Sequence, residues 1–238
     1  MKKVAFVTAS RTGIGKKIVK KLLKKNYIVY SNGLKKDENL SSMYICADMT
    51  NEKEIEKSLN KIAQKEGRLD LIVANLGSGK SISGYDVNIN EYKRVFDINL
   101  FSSICLATKS IEFLKQTNGN IIFISSIAGC EYLGAPLPYT LAKTALLSFS
   151  KALSFEVAKY NIRVNCISPG NVMFKNSTWD KKIQENEKET KEYIKNNVPL
   201  NAFVKANDIA KAVMFLEKSK VITGSNIVID GGQIQKII

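Results

Sequence analysis

The sequence contains no histidine, so it lacks both the commonest general base and the commonest metal ligand of enzymes. Any proton transfer must therefore fall to tyrosine, lysine, cysteine or a carboxylate. The four cysteines are widely spaced and match no metal-binding pattern. We therefore expect no metal site, and we expect buried, reduced thiols at Cys46, Cys105, Cys130 and Cys166.

Long apolar runs are also missing. No stretch approaches the roughly 20 apolar residues that span a membrane, so we expect no membrane partner. The chain begins with Met1-Lys2-Lys3 and runs directly into the strand-like Val4-Ala5-Phe6-Val7, with no small-residue cleavage site. This start argues against a signal peptide and favours a cytoplasmic location.

Acidic residues are scarce, since 36 Lys and Arg outnumber 22 Asp and Glu and give a formal net charge of +14. Such an excess suits a nucleic acid, an anionic cofactor, or no specific partner. Most lysines fall on polar helix faces, as in Lys16-Lys17 and Lys20-Lys21, and are seldom interleaved with aromatics. We therefore favour a solvated basic surface, with attraction of a polyphosphate ligand as the alternative, and expect no nucleic-acid partner.

Short apolar runs alternate with longer amphipathic ones along the whole chain. Runs such as Ile121-Ile122-Phe123-Ile124 are apolar on both faces, as a parallel strand covered by helices must be. The alternation predicts a single α/β domain with a doubly wound parallel sheet of about seven strands. The predicted strands are Val4–Thr8, Tyr27–Tyr30, Met43–Cys46, Leu69–Ala74, Asn120–Ser125, Arg163–Ile167 and Ile227–Ile229. The predicted helices are Gly15–Lys25, Glu52–Glu66, Glu91–Gln116 (broken near Asn99), Pro138–Tyr160 and Asp208–Glu217.

One polar segment, Asn171–Asn197, interrupts this rhythm before the last helix, with Trp179 near its middle. Long excursions of this kind inside compact domains are usually lids or binding loops. We therefore predict a substrate lid over about residues 171–197.

A glycine-containing turn, Thr8-Ala9-Ser10-Arg11-Thr12-Gly13-Ile14-Gly15, follows the first predicted strand and opens the first helix. Glycines at such a turn let the backbone approach a pyrophosphate, while the helix N-terminus supplies N–H donors and partial positive charge. The turn therefore indicates a dinucleotide site, although glycine is common at strand–helix turns in general.

Tyr139 and Lys143 are four residues apart in a predicted helix and so share a face. An ammonium beside a phenol favours the phenolate, so we expect Lys143 to lower the pKa of Tyr139. Ser126 lies thirteen residues before Tyr139, at the carboxyl end of an apolar strand, where open α/β sheets bind ligands. Tyrosine, lysine and serine together predict acid–base chemistry in a chain without histidine.

Together these elements resemble the short-chain dehydrogenase/reductase family over nearly the whole chain, in particular its 3-oxoacyl-[acyl-carrier-protein] reductase-like branch. The glycine turn matches at Thr8, Gly13 and Gly15. The family's catalytic tetrad is matched by Asn99, Ser126, Tyr139 and Lys143. Further matches are the adenine-contacting acid at Asp48, Asn75 and Gly77 in the Asn-Asn-Ala-Gly element, and the later signatures at 163–170 and 222–232.

The resemblance implies a single Rossmann-type domain that moves a hydride between a nicotinamide and a carbonyl or secondary alcohol. It implies that Tyr139 donates a proton, that Lys143 holds the nicotinamide ribose, and that Ser126 hydrogen-bonds the substrate oxygen. Asn99 would hold a water that relays protons to Lys143. Besides Tyr139 and Lys143, the implied cofactor contacts are Thr8, Ser10, Arg11, Gly13, Ile14, Gly15, Asn32, Asp48, Met49, Asn75, Gly77, Pro169, Gly170 and Val172. Relatives are commonly tetramers, so a homo-oligomer, either a tetramer or a dimer, is also implied.

Three positions depart from the family pattern. Ala9 replaces the first glycine of the turn, Ala74 replaces an asparagine, and Phe174 stands where many members have a threonine that contacts the nicotinamide carboxamide. No tetrad residue is lost, so we expect an active enzyme.

The residues near the end of the second strand favour NADP(H), with NAD(H) as the alternative cofactor. Asn32 occupies the place where NAD enzymes usually carry an aspartate, and it does not repel a phosphate. Arg11 in the glycine turn, with Lys35 and Lys36 past the strand, could pair with the 2′-phosphate.

The substrate is indicated only in outline. Two arginines that 3-oxoacyl reductases use to dock the acidic carrier protein are replaced by Thr117 and Tyr160, although Lys115 and Lys159 lie close by. Polar residues flank the expected mouth of the site, namely Ser78, Lys80, Ser81, Asn171, Lys175, Asn176, Ser177 and Thr178. They favour a small polar carbonyl or alcohol substrate, such as a sugar-derived one, over a 3-oxoacyl group on acyl carrier protein, which is the alternative.

Two hypotheses of other classes compete with an enzyme of this kind. One is a sensor that binds the dinucleotide without turnover, and the intact tetrad argues against it. The other is a nucleic-acid binder that uses the net charge of +14. A nucleoside triphosphatase is a further alternative, because the segment from Ala74 to Ser81 satisfies a loose P-loop pattern after a strand. A true P-loop leads directly into a helix, whereas the residues after Ser81 are typical of a loop.

Overall fold

Apolar strands form a seven-stranded parallel sheet in the computed structural model, which describes residues 1–35 and 42–236. Its strands are β1 (Val4–Val7), β2 (Ile28–Gly33), β3 (Met43–Cys46), β4 (Leu71–Ala74), β5 (Asn120–Ile124), β6 (Arg163–Pro169) and β9 (Asn226–Ile229). Two short strands, β7 (Val172–Met173) and β8 (Val204–Lys205), pair only with each other. The order across the large sheet is β3-β2-β1-β4-β5-β6-β9. The predicted fold class is confirmed.

Helices cover both faces of this sheet. They are α1 (Gly13–Leu23), α2 (Glu52–Glu66), α3 (Ile89–Phe96), α4 (Ser102–Lys115), α5 (Leu137–Ala158), α6 (Thr178–Glu185), α7 (Glu187–Asn197) and α8 (Ala206–Lys218). One apolar cluster joins the sheet to α2, α4 and α5, and a second joins its other face to α1 and α8. Neighbouring strand residues alternate between them, since Ile121 and Phe123 lie in the first cluster and Ile122 and Ile124 in the second.

The crossovers from β1 and β4 leave the sheet on opposite faces. After β1 the chain enters α1, whereas after β4 it reaches α4, which packs on the other side. Because β1 and β4 are neighbours, a crevice opens between the two connections at the carboxyl ends of the strands. Ligands of open α/β sheets bind in such a crevice, so this topology sets the place of the candidate site.

The bounds of α2 match the prediction because both ends carry strong local signals. The Asn51 side chain accepts hydrogen bonds from the backbone N–H groups of Lys53 and Glu54 at 3.0 and 3.3 Å. Gly67 ends the helix in the left-handed conformation, at φ 66°. The predicted break near Asn99 is confirmed as well, since a π-helical turn at Asp97–Phe101 separates α3 from α4.

The predicted lid segment contains regular secondary structure and is not one long loop. It contains β7 and the helices α6 and α7, and its chain returns to the domain through β8. An aromatic cluster holds the segment together, because the Trp179 ring lies 5.2 Å from the Tyr193 ring and 5.8 Å from the Phe203 ring. The polar pattern concealed these helices because both are short and their outer faces are solvated.

Among the described residues, no helix is long and apolar enough to cross a membrane, and no group of potential ligands could hold a metal ion. The cysteines only partly match the expectation of burial. Cys166 is buried, Cys105 and Cys130 are half-buried, and Cys46 is exposed at the end of an outer strand. All four thiols are free.

Candidate active site

Thr8 and Asn75 tie the ends of the two central strands together. The Thr8 hydroxyl oxygen accepts the backbone N–H of Asn75 at 3.0 Å, and the Asn75 amide donates to the carbonyls of Thr8 and Ala9 at 3.1 Å each. These bonds hold the glycine turn above β4. Both residues were predicted as cofactor contacts, and the structure gives them a supporting position behind the turn.

The N-terminus of α1, which follows Thr12, has neither a side-chain cap nor an acidic residue in its first turn. Gly15 allows tight packing there, because a Cβ at this position would lie 2.6 Å from the Cα of Ser10. The Ser10 hydroxyl is turned inward and donates to the Val7 carbonyl at 2.8 Å. The free N–H groups and partial positive charge of such a helix end suit a diphosphate.

Ala9 adopts a left-handed backbone conformation, with φ 46°. A Cβ is disfavoured in this region by about 1–2 kcal/mol, which explains physically why a glycine is usual at this place in the turn. The substitution therefore leaves the shape of the turn intact and strains one residue of it.

A cavity of about 550 Å³ lies beside the glycine turn, over the carboxyl ends of β2 and β3. Of the predicted cofactor contacts, Arg11, Asn32, Asp48, Met49 and Gly77 line it, and so does Lys35. Sequence analysis missed further lining residues that belong to no distinctive motif, namely Gly33, Leu34, Ala47, Thr50, Leu76 and Ile98. The volume and the exposed basic side chains fit the adenosine half of a dinucleotide. Lys36 lies outside the described residues.

Asn32 has a structural position within this cavity wall. Its amide nitrogen donates to the carbonyls of Ile45 and Ala47 at 3.2 and 2.9 Å, and its amide oxygen accepts from the N–H of Ala9 at 3.2 Å. The side chain is buried and its hydrogen-bonding groups are engaged. Asn32 therefore fixes the glycine turn against β3 and presents no acidic group to the cavity.

Asp48 sits at the opposite wall in a local turn. One of its carboxylate oxygens accepts from the backbone N–H and the hydroxyl of Thr50, at 2.9 and 2.8 Å. Its own N–H donates to Glu54 at 2.6 Å. The turn orients Asp48 at the cavity edge, and the neighbouring Met49 is buried and supplies an apolar surface.

Ser126, Tyr139 and Lys143 converge next to the end of β5. Ser126 begins the short 3-10 turn Ile127–Gly129, and the Tyr139 hydroxyl is hydrogen-bonded to the Ser126 side chain. Lys143 lies one helical turn after Tyr139 on α5, with its Nζ 5.9 Å from the tyrosine ring centroid. The ammonium donates to the carbonyl of Ile124 at 3.0 Å, and only 3% of Lys143 is exposed. Three polar groups thus meet in one largely buried place.

The expected effect of Lys143 on Tyr139 is wrong for this structure. Burial raises the pKa of the Tyr139 phenol above its usual value, and only the Ser126 hydrogen bond opposes that rise. Burial also lowers the pKa of Lys143 to about 8, while the nearby Cys166 acts in the opposite sense. Desolvation outweighs attraction here because both groups lie away from water. Tyr139 is therefore a proton-bearing phenol near neutral pH.

Asn99 lies in the π-helical turn and is 1% exposed. Its amide oxygen accepts from the N–H of Ser78 at 2.9 Å, and its amide nitrogen donates to the carbonyls of Ser78 and Val95 at 3.1 and 3.0 Å. Gly77 lies between Asn99 and Lys143, since an added Cβ would be 3.0 Å from the Asn99 oxygen and 3.1 Å from the Lys143 nitrogen. Asn99 thus fixes the loop after β4 next to Lys143.

The remaining predicted contacts lie at the other flank, after β6. Pro169 pairs with Ile229, and Gly170 packs on Asp230, because a Cβ at Gly170 would lie 2.8 Å from the Asp230 Cα. Val172 is buried and pairs with Val204 in the small sheet. None of the three lines the cavity beside the glycine turn, and Ile14 contributes instead to the core under α1.

The lid segment is joined to this flank by a chain of hydrogen bonds. The Asn171 amide donates to the Gln233 side chain at 2.7 Å, and Gln233 donates to the Tyr193 hydroxyl at 3.1 Å. Sequence analysis missed Gln233, because no motif marks an isolated glutamine near the chain end. These hydrogen bonds link the loop that follows β6 to α7 in the predicted lid segment.

The nucleoside triphosphatase hypothesis is wrong. No helix follows the P-loop-like residues, since the next helix, α3, begins at Ile89. Arg94 instead donates to the Lys80 carbonyl at 2.9 Å and pairs with Glu91, which accepts the Ile82 N–H at 3.2 Å. These bonds fold the segment into a loop beside Asn99.

The comparisons with known proteins agree with this geometry. Residues 8–233 match a family model described as enoyl-(acyl carrier protein) reductase. The chain is 32% identical over 251 residues to zerumbone synthase of Zingiber zerumbet, covering 97% of this chain and 94% of the relative. It is 28% identical over 241 residues to 3-oxoacyl-[acyl-carrier-protein] reductase of Bos taurus, with 98% of each chain covered.

A solved structure of similar shape is described as ElxO with NADP bound. Its TM-score is 0.91 at 26% identity, and the match covers 99% of this chain and 100% of that one. The predicted family is confirmed, and the chain belongs to the short-chain dehydrogenase/reductase family of oxidoreductases.

Proposed function

We propose that this oxidoreductase reduces the carbonyl of a small polar substrate, or oxidises the matching secondary alcohol, with Tyr139 as the proton donor and acceptor. The observation that carries the proposal is the meeting of Ser126, Tyr139 and Lys143 at the strand ends beside an uncapped helix N-terminus. A protein that only binds the dinucleotide does not need a half-buried phenol hydrogen-bonded to a serine.

The proposed roles follow from the positions of the three groups. A bound nicotinamide dinucleotide supplies the hydride. Ser126 donates a hydrogen bond to the substrate oxygen, and Tyr139 gives its proton to that oxygen as negative charge develops there. Lys143 uses one donor on the Ile124 carbonyl and keeps two donors for the cofactor ribose and a relaying water.

Asn99 affects the position of Lys143 indirectly, because it fixes the loop after β4 that lies next to Lys143. Its side chain is fully engaged with Ser78 and Val95, so a water would be held by the backbone of the π-helical turn instead of the amide. Such turns leave backbone groups without their usual helical partners and occur often at functional sites. Asn99 is therefore proposed as a positioning residue.

The proposed cofactor is NADP(H). Arg11 and Lys35 are exposed and line the cavity where an adenosine ribose would lie, and no acidic residue stands at the end of β2. The part of the cavity lined by Ala9, Asp48 and Met49 would take the adenine. Each charge-assisted hydrogen bond to a 2′-phosphate contributes about 1.5–3 kcal/mol. The solved relative with NADP bound supports the same choice.

The experiment that tests the function is a cofactor-oxidation screen with purified protein. We expect NADPH oxidation with at least one member of a panel of ketoses, keto acids and small acyl thioesters. A matched Ser126→Ala variant should lose that activity. Binding of NADPH with no turnover on any carbonyl, alcohol or thioester would instead support the dinucleotide sensor.

A 3-oxoacyl thioester is the second candidate substrate, because the reductase of Bos taurus aligns over almost the whole chain. Lys115 and Lys159 flank the Tyr160 ring, with their Nζ atoms 4.0 and 5.3 Å from its centroid. They offer positive charge near the place of the missing docking arginines. A 3-oxoacyl group on acyl carrier protein should be no better a substrate than the same group on a small thiol carrier, and a large preference for the protein-bound form would favour this alternative.

A homo-oligomer is also proposed. Three large apolar side chains are exposed, with Phe101 in the π-helical turn 51%, and Leu141 and Phe155 on α5 49% and 71% exposed. Exposed apolar side chains of this size favour contact with another chain. Light scattering on the purified protein should give a dimer or a tetramer, and a monomer would contradict the proposal.

Cytoplasmic location and the absence of a nucleic-acid partner stay predictions, which microscopy and binding titrations would test.

A further inference from the structure

The ring of Phe174 lies directly on the glycine turn. A Cβ added at Gly13 would be 2.6 Å from two ring carbons of Phe174, Cε2 and Cζ, and 3.1 Å from Cδ2. Gly13 has φ 53°, so both its conformation and its neighbour require glycine. The space that the missing side chain leaves open is therefore filled by the Phe174 ring.

This space has a specific use in dinucleotide-binding folds. A glycine at the turn lets a pyrophosphate approach the backbone, and the helix N-terminus behind it attracts the negative charge. In this chain the α1 N-terminus has neither a side-chain cap nor an acid in its first turn, so no polar side chain competes with such a ligand for its N–H groups. An apolar ring over Gly13 stands at the entrance to that anion site.

The position of Phe174 is fixed by the lid segment. Its N–H donates to the Ser177 hydroxyl at 3.3 Å, and its carbonyl accepts the Ser177 N–H at 2.9 Å. Ser177 also caps α6 by accepting the N–H of Asp180 at 3.0 Å. The ring packs on the apolar cluster that contains Val172 and Val204. Movement of the ring off Gly13 is therefore coupled to movement of the turn that starts the lid.

We propose that Phe174 is a positioning residue whose ring covers the diphosphate-binding site over Gly13 in the cofactor-free enzyme. The nicotinamide half of the dinucleotide binds only after the ring has left the glycine turn, and the lid segment moves with it. This inference rests on the proposed dinucleotide-dependent function. Position 174 is one where this chain has a phenylalanine and many members of its family have a threonine.

The two halves of the cofactor should respond differently to Phe174. The adenosine cavity is lined by Arg11, Asp48 and Met49 but not by Phe174, so a ligand confined to that cavity does not meet the ring. A full dinucleotide has to displace it. When the competent state is a fraction of the population, the apparent dissociation constant rises by the inverse of that fraction, about tenfold if one molecule in ten is open.

Calorimetric titration with two ligands tests this. NADP⁺ represents the full cofactor, and adenosine 2′,5′-bisphosphate represents the adenosine half alone. The proteins are wild type, Phe174→Ala and Phe174→Leu, with Phe203→Leu as the matched control, because Phe203 contacts Trp179 in the same segment and not the glycine turn. Phe174→Leu retains apolar contact with the core if the alanine variant fails to fold.

We expect Phe174→Ala to lower the Kd of NADP⁺ by about tenfold, and Phe174→Leu by a smaller factor in the same direction. The Kd of the bisphosphate should stay within about twofold in every variant, and Phe203→Leu should leave both ligands unchanged. Unchanged or weaker NADP⁺ binding in both Phe174 variants, with the bisphosphate still bound, would overturn the inference alone. Failure of both ligands to bind any of the proteins would overturn the proposed function itself.

Discussion

Lys143 donates a hydrogen bond of 3.0 Å to the carbonyl of Ile124, which places its ammonium at the end of β5 next to Ser126. Within the described part of the chain this is the one acceptor that it has, and burial lowers its pKa to about 8. A lysine that exchanges its proton so close to neutrality can return a proton to Tyr139 after each reduction. Because the pKa of Lys143 lies so near neutrality, the pH dependence of activity and of stability should report on this residue.

Carbonyl reduction should fall as the pH rises through about 8. Productive binding of the anionic cofactor needs the charged form of Lys143, and the raised pKa of Tyr139 keeps the phenol protonated well above neutrality. The measurement is kcat/KM for NADPH as a function of pH with carbonyl substrate in excess, which reports groups of the free enzyme. Lys151→Met, on the exposed side of α5, should leave the profile unchanged. A profile flat up to pH 10 would contradict the assignment.

The buried ammonium should also cost stability in the cofactor-free protein. Lys143 has a pKa of about 8 in the folded protein, against an ordinary value of 10.5. Its folded pKa is depressed, so its contribution to stability is present above pH 10.5 and is lost as the pH falls through 8. Relative to Lys143→Met, wild type should therefore gain up to about 3 kcal/mol of unfolding free energy as the pH rises from neutrality toward that range.

Denaturant unfolding of both proteins at several pH values measures this difference, in which other titrating groups cancel. Lys151→Met again serves as the control and should differ from wild type by a constant amount. If the difference for Lys143→Met is equally constant with pH, Lys143 is not desolvated as the structure indicates.

Ala9→Gly should stabilise the protein. Ala9 is held at φ 46°, where a Cβ costs about 1–2 kcal/mol and glycine costs none, although glycine also makes the unfolded chain more flexible. We expect a net gain of about 0.5–1 kcal/mol in urea unfolding. The matched control is Ala152→Gly on the exposed face of α5, which should lose about 1 kcal/mol. A loss in both variants would show that Ala9 is unstrained.

The preference for NADPH should depend on Arg11. Arg11 and Lys35 are exposed charges at the edge of the adenosine cavity, and pairing with the 2′-phosphate should give roughly a tenfold preference in kcat/KM over NADH. Arg11→Ala should remove most of it while leaving activity with NADH almost unchanged. Lys17→Ala, an exposed charge on α1 outside the cavity, should leave the preference intact. Equal values for the two cofactors in wild type would contradict the proposal.

Much of the fold was predictable because local and long-range signals agreed. The predicted helix Glu52–Glu66 matches α2, whose ends carry a capping asparagine and a terminal glycine. The strands are predicted from short runs that are apolar on both faces, and these runs lie in the two apolar clusters. The helices of the lid segment were missed because their sequences are polar almost throughout and derive their order from the contacts of Trp179 with Tyr193 and Phe203.

The sequence predicted which residues meet at the site, but not the pKa values and contacts that those residues have there. Spacing placed Ser126, Tyr139 and Lys143 together, but the pKa of Tyr139 depends on desolvation, which no spacing reveals. The inward bonds of Asn32 and the contact of Phe174 with Gly13 likewise arise from residues far apart in the chain. Tertiary packing decided each of these outcomes.

The turnover of Tyr139→Phe tests the central claim most directly. The substitution removes one oxygen from a half-buried ring, so the fold and the Kd of NADPH should stay close to those of wild type. The same is expected of the control Tyr160→Phe, which lies in the turn just after α5. We predict that Tyr139→Phe reduces no carbonyl substrate at a detectable rate, whereas Tyr160→Phe is fully active. Retention of a tenth of wild-type turnover, a barrier increase of only about 1.4 kcal/mol, would show that Tyr139 is not the proton donor.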